Sequence, residues 1–198
     1  MIAIVDYGAG NLRSIKRALE VDGAETVVTA NSNTIRSADR VVLPGVGNAG
    51  AAMERLHDLG LVDVIKDVAD AGTPLFGVCL GMQLLFGDQE EGPTVGLNLM
   101  QGTARKLPSD HKIPHMGWNT VAFARQSPLS DLGEASFYFV HSYVVYPTDA
   151  TDIAGTTDYG IAFPSVVIRD NVWGTQFHPE KSGNSGLQLL KYWLAWNR

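Results

Sequence analysis

The sequence predicts an α/β fold built on an open, mostly parallel sheet that is flanked by helices and carries an antiparallel extension. In the first half of the chain, short apolar runs alternate with segments of helical spacing, which is the pattern of βαβ units around a parallel sheet. In the second half, short β-prone runs follow one another with turn residues between them, and this favours antiparallel strands. The length of 198 residues suits one core, so we expect a single domain over residues 1–198.

The first βαβ unit begins with Ile2–Val5, an apolar run that predicts a buried strand. A glycine-containing turn follows, and residues 11–21 carry apolar side chains at helical spacing, which predicts a helix. Thr26–Thr29 is rich in β-branched residues and predicts the second strand. Residues 40–43 form a third apolar strand that ends at a Pro-Gly turn.

The next unit contains two helices and the strand that leads to the only cysteine. Residues 49–59 and 61–71 show helical spacing, and Gly72 is the expected stop of the second helix. Residues 74–78 predict a buried strand that runs directly into Cys79, and a helix is expected over residues 80–86. In such folds the loops after the strands meet at one sheet edge, where ligands bind.

The pattern changes from about residue 100 onward. Short strands are predicted at residues 121–124, 136–140, 142–146, 153–157 and 166–168 and at Val172–Thr175. Residues 184–196 then predict an amphipathic closing helix. These strands form the expected antiparallel extension.

Composition and charge exclude several classes of function. The formal net charge is −6 and no Lys/Arg cluster occurs, so nucleic acid is not an expected partner. No apolar run approaches the ~20 residues that span a bilayer, and the N-terminus lacks a secretory pattern. The lone Cys79 cannot form a disulfide within the chain and suits a reducing compartment. We therefore expect a cytoplasmic protein with no membrane partner, and we predict no metal or cofactor.

The strongest local motif is Gly77-Val78-Cys79-Leu80-Gly81, which lies between a predicted buried strand and a predicted helix. A sharp strand-to-helix turn holds a nucleophile in a strained conformation, and the flanking glycines leave the room that such a turn needs. The helix N-terminus also favours the thiolate, which is the reactive form of cysteine. The alternative, a cysteine that only fills the core, stays open at this point.

A thiolate nucleophile needs a base, and the candidates are His57, His111, His115, His141 and His178. Only His178 carries its own orienting group, because Pro179 and Glu180 follow it. Proline enforces an extended path, and residues two apart in an extended chain project to the same side. Glu180 is therefore expected to reach the His178 ring and stabilise its cation. A surface His-Pro-Glu turn remains the alternative.

The anion that forms when a thiolate attacks an amide needs hydrogen-bond donors. One natural donor is the backbone N–H of Leu80, the residue after the nucleophile. A second can come from the segment at Gly45 and Val46, which follows a predicted strand and should lie at the same sheet edge. Glycine at 45 and 47 permits close approach or a peptide flip. A plain strand-to-helix turn fits this segment equally well.

Together these stretches resemble the class I, or triad, glutamine amidotransferases. Residues 77–83 match the nucleophile motif of that class, and residues 178–180 match its base motif. Within the class, the chain is similar to the glutaminase subunits of imidazole glycerol phosphate synthase from histidine biosynthesis, at residues 6–14, 43–47, 114–119, 138–143 and 176–182. The resemblance spans nearly the whole chain and implies one flavodoxin-like amidotransferase domain.

The resemblance implies a catalytic triad of Cys79, His178 and Glu180 that hydrolyses glutamine to glutamate and ammonia through a thioester. It places the substrate among Gln83, Glu91, His141, Ser142 and Tyr143. Glu91 is expected to pair with the α-ammonium group, since a half-buried ammonium requires a compensating charge; the alternative is a plain surface acid.

A partner is also implied, namely a (β/α)₈ barrel synthase subunit that receives the ammonia and forms a heterodimer with this chain. The residues expected at the interface, from the matching motifs, are Asn11, Met116, Trp118, Tyr138 and Lys181. The two aromatic residues could otherwise be core residues, and the lysine a solvated charge. The family further implies that the Val46 N–H completes the anion site and is gated by partner binding.

Three other functions stay open on the sequence. An amidotransferase of another pathway, such as anthranilate, aminodeoxychorismate or pyridoxal phosphate synthesis, is disfavoured by residues 114–119. A catalytically silent regulatory subunit is disfavoured by the intact triad residues, and a peptide-cleaving cysteine hydrolase by Gln83 and Glu91.

Overall fold

The computed structural model describes residues 1–92, 94–108 and 111–196. In chain order its strands and helices are β1 (Ile2–Val5), α1 (Leu12–Glu20), β2 (Thr26–Thr29), α2 (Ser32–Arg36), β3 (Arg40–Gly45), α3 (Ala49–Asp58), α4 (Leu61–Asp70), β4 (Leu75–Cys79), α5 (Leu80–Leu84), β5 (Phe86–Gln89), β6 (Thr94–Val95), β7 (Met100–Lys106), β8 (His115–Phe123), β9 (Glu134–His141), β10 (Tyr143–Pro147), β11 (Ile153–Asp158), β12 (Ala162–Arg169), β13 (Val172–Thr175) and α6 (Gly183–Ala195).

The described residues form one large sheet in the order β2-β1-β3-β4-β13-β12-β11-β8-β9. The strands from β2 to β13 pair in parallel. Strands β1 and β4 are buried along their whole length, which explains why they read as continuous apolar runs rather than alternating ones. We call these five strands the parallel half.

The remaining strands, from β12 to β9, pair antiparallel to their neighbours and extend the sheet. We call these four strands the antiparallel half. The predicted α/β sheet with an antiparallel extension is confirmed, and the extension is nearly as large as the parallel half. Strand β8 runs from His115 and is longer than the segment predicted at 121–124.

A second, four-stranded sheet has the order β10-β7-β5-β6 and was not predicted as a separate sheet. The helix expected over residues 80–86 ends at Leu84, and Phe86 instead starts β5, where it pairs with Met100 of β7. The apolar residues at this point fit either a helix or a strand by pattern alone. Pairing with a distant strand decides between them.

Helices cover both faces of the large sheet. On one face α2, α3, α4 and α5 pack in a core that includes Leu43, Leu56 and Ile65. On the other face α1 and α6 pack in a core that includes Phe76 and Trp193, whose rings stack with centroids 5.3 Å apart. Within the described ranges, no helix combines the length and the apolar character needed to cross a membrane.

The register of the parallel half brings the chemistry-bearing segments together. Gly45 at the end of β3 pairs with Cys79 at the end of β4. Strand β13 lies on the other side of β4, and the chain reaches His178 three residues after β13 ends at Thr175. The predicted nucleophile therefore lies at a sheet edge between a glycine-containing turn and the predicted base.

Candidate active site

Cys79 lies at a sharp turn between β4 and α5. Its backbone has φ 55° and ψ −108°, a conformation that costs a non-glycine residue about 1–3 kcal/mol. The glycines on either side have no room for a side chain. A Cβ atom on Gly81 would lie 1.9 Å from the Leu43 carbonyl oxygen, and one on Gly77 would lie 2.7 Å from the Gly81 carbonyl oxygen. The turn thus requires the Gly-x-Cys-x-Gly pattern for steric reasons.

His178 and Glu180 form a buried pair beside the sheet edge. The Nδ1 atom of His178 lies 2.8 Å from Oε1 of Glu180, and both side chains are almost fully buried. The His178 backbone is extended, but Pro179–Lys181 forms a 3₁₀ turn. The expectation of an extended path after His178 was therefore wrong, and the turn brings Glu180 back to the ring.

The charge state of His178 depends on its neighbours. Burial alone would lower the pKa of His178, but the thiol of Cys79 and the carboxylate of Glu180 outweigh burial and raise the pKa to about 9. Among the described residues, the Nε2 atom of His178 is buried and has no partner of ordinary hydrogen-bond geometry. This ring nitrogen is therefore available to the sulfur, while Nδ1 is held by the carboxylate.

The sulfur of Cys79 has two further polar neighbours. It lies 3.8 Å from the carbonyl oxygen of Val140 and 3.8 Å from Nε2 of Gln176. Gln176 is fully buried, and its Oε1 accepts a hydrogen bond of 3.1 Å from Nε2 of Gln83. The Gln176 amide can therefore donate to a thiolate. Sequence reasoning missed this role, since a glutamine beside the base motif carries no signal by itself.

A cavity of about 290 Å³ opens beside Cys79. Its walls come from the loops after β3 and β4 and from the end of β9, and its lining residues are Val46, Gly47, Cys79, Leu80, Gln83, Glu91, Pro114, Val140, His141, Ser142 and Tyr143. All five residues predicted to bind substrate line this cavity. Its size suits a free amino acid better than a folded chain.

Glu91 supplies an acidic group to the cavity wall. One of its oxygens, Oε2, accepts a hydrogen bond of 2.9 Å from the backbone N–H of Ala49, the first residue of α3. Burial raises the pKa of the Glu91 carboxyl, and the hydrogen bond from Ala49 opposes this shift. The second oxygen remains for a cationic ligand group.

Two backbone segments adjoin Cys79, because Leu80 follows it in the chain and Gly45 pairs with it across β3 and β4. Leu80 is the first residue of α5, so its N–H has no acceptor inside the helix. Gly45 packs so closely that a Cβ atom there would lie 2.8 Å from the Gly81 nitrogen. The hydroxyl of Tyr7 donates to the Pro44 carbonyl at 2.8 Å and fixes this strand end. Burial and the neighbouring Cys79 raise the pKa of Tyr7, which keeps its proton.

Comparison with known proteins identifies the family. The family model of glutamine amidotransferase class-I matches residues 3–194. The chain belongs to the class I glutamine amidotransferases.

Curated relatives narrow the assignment within the class. The chain is 50% identical, over 194 residues, to imidazole glycerol phosphate synthase subunit HisH of Bacillus cereus (strain B4264), with 96% of this chain and 92% of that protein covered. It is 46% identical to the HisH subunit of Methanocaldococcus jannaschii, with 96% and 97% covered. The predicted HisH-type amidotransferase, a cysteine glutaminase, is thereby confirmed at the level of family and enzyme class.

Solved structures support the fold. PurLQS from Thermotoga maritima superposes with a TM-score of 0.77 at 17% identity, covering 98% of this chain and 96% of that one. A crystal structure of a glutamine amidotransferase gives a TM-score of 0.79 at 19% identity, covering 98% and 97%. At these identities the likeness concerns the fold alone.

His141 of this amidotransferase lines the cavity, but both of its ring nitrogens are already bonded. Nδ1 lies 2.9 Å from the carbonyl oxygen of Tyr143, and Nε2 lies 2.9 Å from Nδ1 of His115. A direct hydrogen bond from the His141 ring to a substrate, as its predicted binding role suggests, would have to break one of these contacts. His57 is exposed on α3, away from this arrangement.

Four of the predicted interface residues of the amidotransferase meet on the outer face of β8 and β9. Met116 and Trp118 are 61% and 59% exposed. Trp118 pairs with Tyr138 across the two strands, and their rings meet edge to face with centroids 6.3 Å apart. The ammonium of Lys181 lies 5.9 Å from the Tyr138 ring centroid. Asn11 is exposed and caps α1 by accepting a hydrogen bond from the N–H of Ser14.

Proposed function

We propose that the chain is the glutaminase subunit of an imidazole glycerol phosphate synthase, and that Cys79, His178 and Glu180 hydrolyse glutamine to glutamate and ammonia. The observation that carries the proposal is the buried His178–Glu180 pair, in which the pKa of His178 is raised by Glu180 and by Cys79, a cysteine at a strained strand-to-helix turn. Glu180 orients the ring from Nδ1 and leaves Nε2 for the proposed nucleophile, and these are the roles that a catalytic triad requires.

The reaction starts from a thiolate paired with an imidazolium. Because the pKa of His178 is about 9, its ring carries a proton at neutral pH, and this cation stabilises the Cys79 thiolate. The sulfur attacks the side-chain amide carbon of glutamine, and the carbonyl π electrons move to the oxygen. The resulting tetrahedral anion bears its charge beside the amides of the two neighbouring loops.

Two backbone N–H groups are proposed to hold this anion. Leu80 supplies one from the start of α5. Val46 supplies the other when the peptide between Gly45 and Val46 turns toward the cavity. Val46 and Gly47 border the substrate cavity on one side and a second cavity, of about 330 Å³, on the other. This free space and the φ of 101° at Gly47 support a peptide that partner binding can turn.

Collapse of the anion completes the first half-reaction. The carbon–nitrogen bond breaks, the His178 imidazolium gives its proton to the leaving nitrogen, and ammonia departs. Neutral His178 then takes a proton from water, whose oxygen attacks the thioester carbonyl and releases glutamate and the Cys79 thiolate.

Substrate recognition is proposed to use the acidic and polar walls of the cavity. The free oxygen of Glu91 faces the α-ammonium group, and Gln83, Ser142 and Tyr143 border the rest of the amino acid. A pairing of this kind between opposite charges is roughly twice as strong as a neutral hydrogen bond.

The relatives are subunits of imidazole glycerol phosphate synthase, which implies a synthase partner subunit. We propose that the partner is a (β/α)₈ barrel that forms a heterodimer with this single amidotransferase domain in the cytoplasm and receives ammonia in histidine biosynthesis. The partner would cover the outer face of β8 and β9 at Met116, Trp118, Tyr138 and Lys181, together with Asn11. The exposed side chains of Met116 and Trp118 support this docking face.

The test is glutamate release and synthase activity in the complex with the barrel subunit, with and without the barrel's ligand. C79A should abolish glutamine-dependent synthesis, while synthesis from added ammonia continues because the barrel does not need the thiol. Glutamate release that persists in C79A would overturn the proposal. A complex in which C79A also lost ammonia-dependent synthesis would contradict the division of labour between the subunits.

A further inference from the structure

A chain of buried and part-buried hydrogen bonds runs from β8 to the cavity wall and does not include the side chains of the proposed triad. Nδ2 of Asn119 lies 3.2 Å from Nε2 of His115, Nδ1 of His115 lies 2.9 Å from Nε2 of His141, and Nδ1 of His141 lies 2.9 Å from the Tyr143 carbonyl oxygen. The two histidines face each other because their strands pair in register at these positions.

The direction of every hydrogen bond in this chain follows from its two ends. A carbonyl oxygen only accepts, so Nδ1 of His141 must donate to Tyr143 and Nε2 of the same neutral ring must accept. His115 then donates from Nδ1 and accepts at Nε2. The amide of Asn119 agrees, because its Nδ2 also donates to the Asp158 carbonyl at 2.9 Å, which identifies that atom as the nitrogen.

Both rings are suited to this neutral state. Burial lowers the pKa of His115 to about 4, and burial is also the main cause that lowers the pKa of His141 to about 3. His115 is held between the rings of Tyr159 and Phe139, with centroid distances of 4.0 and 4.8 Å. Neither ring can turn without breaking a hydrogen bond or a ring stack.

The chain of hydrogen bonds ends at the Tyr143 carbonyl, on a residue that lines the cavity. The Tyr143 carbonyl accepts a second hydrogen bond, of 3.0 Å, from Nε2 of Gln83. Gln83, His141 and Tyr143 all line the cavity beside Cys79. The orientation of the Gln83 amide and the position of the backbone at 142–143 therefore depend on the same carbonyl oxygen.

We propose that His115 and His141 are positioning residues for glutamine, which act through the Tyr143 carbonyl to fix the cavity wall and the Gln83 amide. The inference rests on the proposed glutaminase function. Apolar residues could fill the same space without burying four ring nitrogens, and buried polar groups cost free energy unless each is satisfied. The chain of hydrogen bonds leads to the wall of the substrate cavity. A role in substrate binding there would explain why buried polar groups are used instead of apolar ones.

The test compares two substitutions of His141 in the complex with the barrel subunit. H141L removes the donor to Tyr143, whereas the side-chain amide of H141N can donate from nearly the Nδ1 position. H141L should raise KM for glutamine about tenfold, the size expected for one lost hydrogen bond to a buried group. H141N should restore most of the affinity.

A second variant and a second readout separate positioning from simple loss of stability. H115F keeps an aromatic ring between Tyr159 and Phe139 but cannot donate to His141, so it should raise KM less than H141L does. The rate at which iodoacetamide alkylates Cys79 should stay at the wild-type value in all three variants, because this small reagent needs only the thiolate. If H141L does not fold, H115F alone carries the test by the same criteria.

Three outcomes decide the inference. A raised KM in H141L or H115F, with normal alkylation and recovery in H141N, supports it. Wild-type KM values in H141L and H115F, beside a wild-type complex that hydrolyses glutamine, would overturn the inference and leave the proposed function standing. A wild-type complex that releases no glutamate would end both.

Discussion

The two halves of the large sheet contribute to the site in different ways. The parallel half supplies the proposed nucleophile, Cys79, and the Leu80 amide through backbone geometry, because β4 ends in a turn that only flanking glycines permit. The antiparallel half supplies polar contacts, because the pairing of β8 and β9 brings the His115 ring against His141 and places the Val140 carbonyl oxygen 3.8 Å from the sulfur. Steric exclusion fixes the turn at Cys79 in the parallel half, and hydrogen bonds fix the histidine rings in the antiparallel half.

Substitutions in the two halves should therefore have different effects. Extra volume in the parallel half displaces the nucleophile turn and lowers the free energy of unfolding. A lost hydrogen bond in the antiparallel half leaves the fold intact and weakens substrate binding. Variants that showed the opposite pattern would contradict this distinction between the two halves.

The largest effect is expected when the base is removed. H178A deletes the group proposed to protonate the leaving ammonia and to activate water, so kcat should fall by about 10²–10⁴. Circular dichroism and urea unfolding are needed beside the rate, because H178A leaves the Glu180 carboxylate buried without its partner. Wild-type glutamate release in H178A would show that another group is the base.

Steric crowding at the nucleophile turn comes next. In G81A the new methyl group would meet the Leu43 carbonyl oxygen at 1.9 Å, so overpacking should lower the free energy of unfolding by about 3 kcal/mol. The matched control is G23A, where a Cβ atom meets nothing within 4 Å and only the backbone φ of 82° is unfavourable. Equal losses in urea unfolding for the two variants would contradict the steric explanation.

A smaller effect is expected at the acidic cavity wall. E91Q keeps an acceptor for the Ala49 N–H but loses the charge proposed to pair with the α-ammonium, so KM for glutamine should rise about tenfold or more. E90Q is the control, because Glu90 is the neighbouring acid and accepts instead from the Lys106 N–H. The proposal for Glu91 would be wrong if both variants changed KM equally.

The smallest change is a shift in pH dependence. Burial lowers the pKa of His178, but Cys79 and Glu180 stabilise its cation and raise the pKa to about 9. Since the protonated ring is proposed to release ammonia, kcat/KM should fall as pH rises through about 9. E180Q removes one stabilising charge, so the pKa falls and this alkaline limb moves to lower pH. If the alkaline limb of the pH profile did not move in E180Q, a group other than His178 would be responsible for that limb.

Sequence reasoning predicted the parallel half better than the antiparallel half, for a physical reason. The turn at Cys79 and the approach of Gly45 follow from local rules on strands, glycines and helix starts. The pairing of His115 with His141 depends on the register of two strands that meet only in the fold, so the sequence could offer His115 only as one histidine among five. The family resemblance implied a binding role for His141 but not the hydrogen bonds that its ring makes.

Long-range contacts also explain the local errors. The helix after Cys79 ends early because Phe86 pairs with Met100 on β7. The turn that returns Glu180 to His178 is 3₁₀ rather than extended, although the pairing of these two side chains was predicted. Gln176 was missed because its role arises only from contacts with Cys79 and Gln83.

We propose that the Cys79 sulfur, activated by His178, reacts at a site that binds glutamine. The most direct measurement is labelling with a glutamine-like chloroketone, followed by peptide mass spectrometry. We expect one adduct, on Cys79, that forms more slowly in the presence of glutamine and much more slowly in H178A. Labelling of other residues, or labelling of Cys79 that glutamine does not slow, would contradict it.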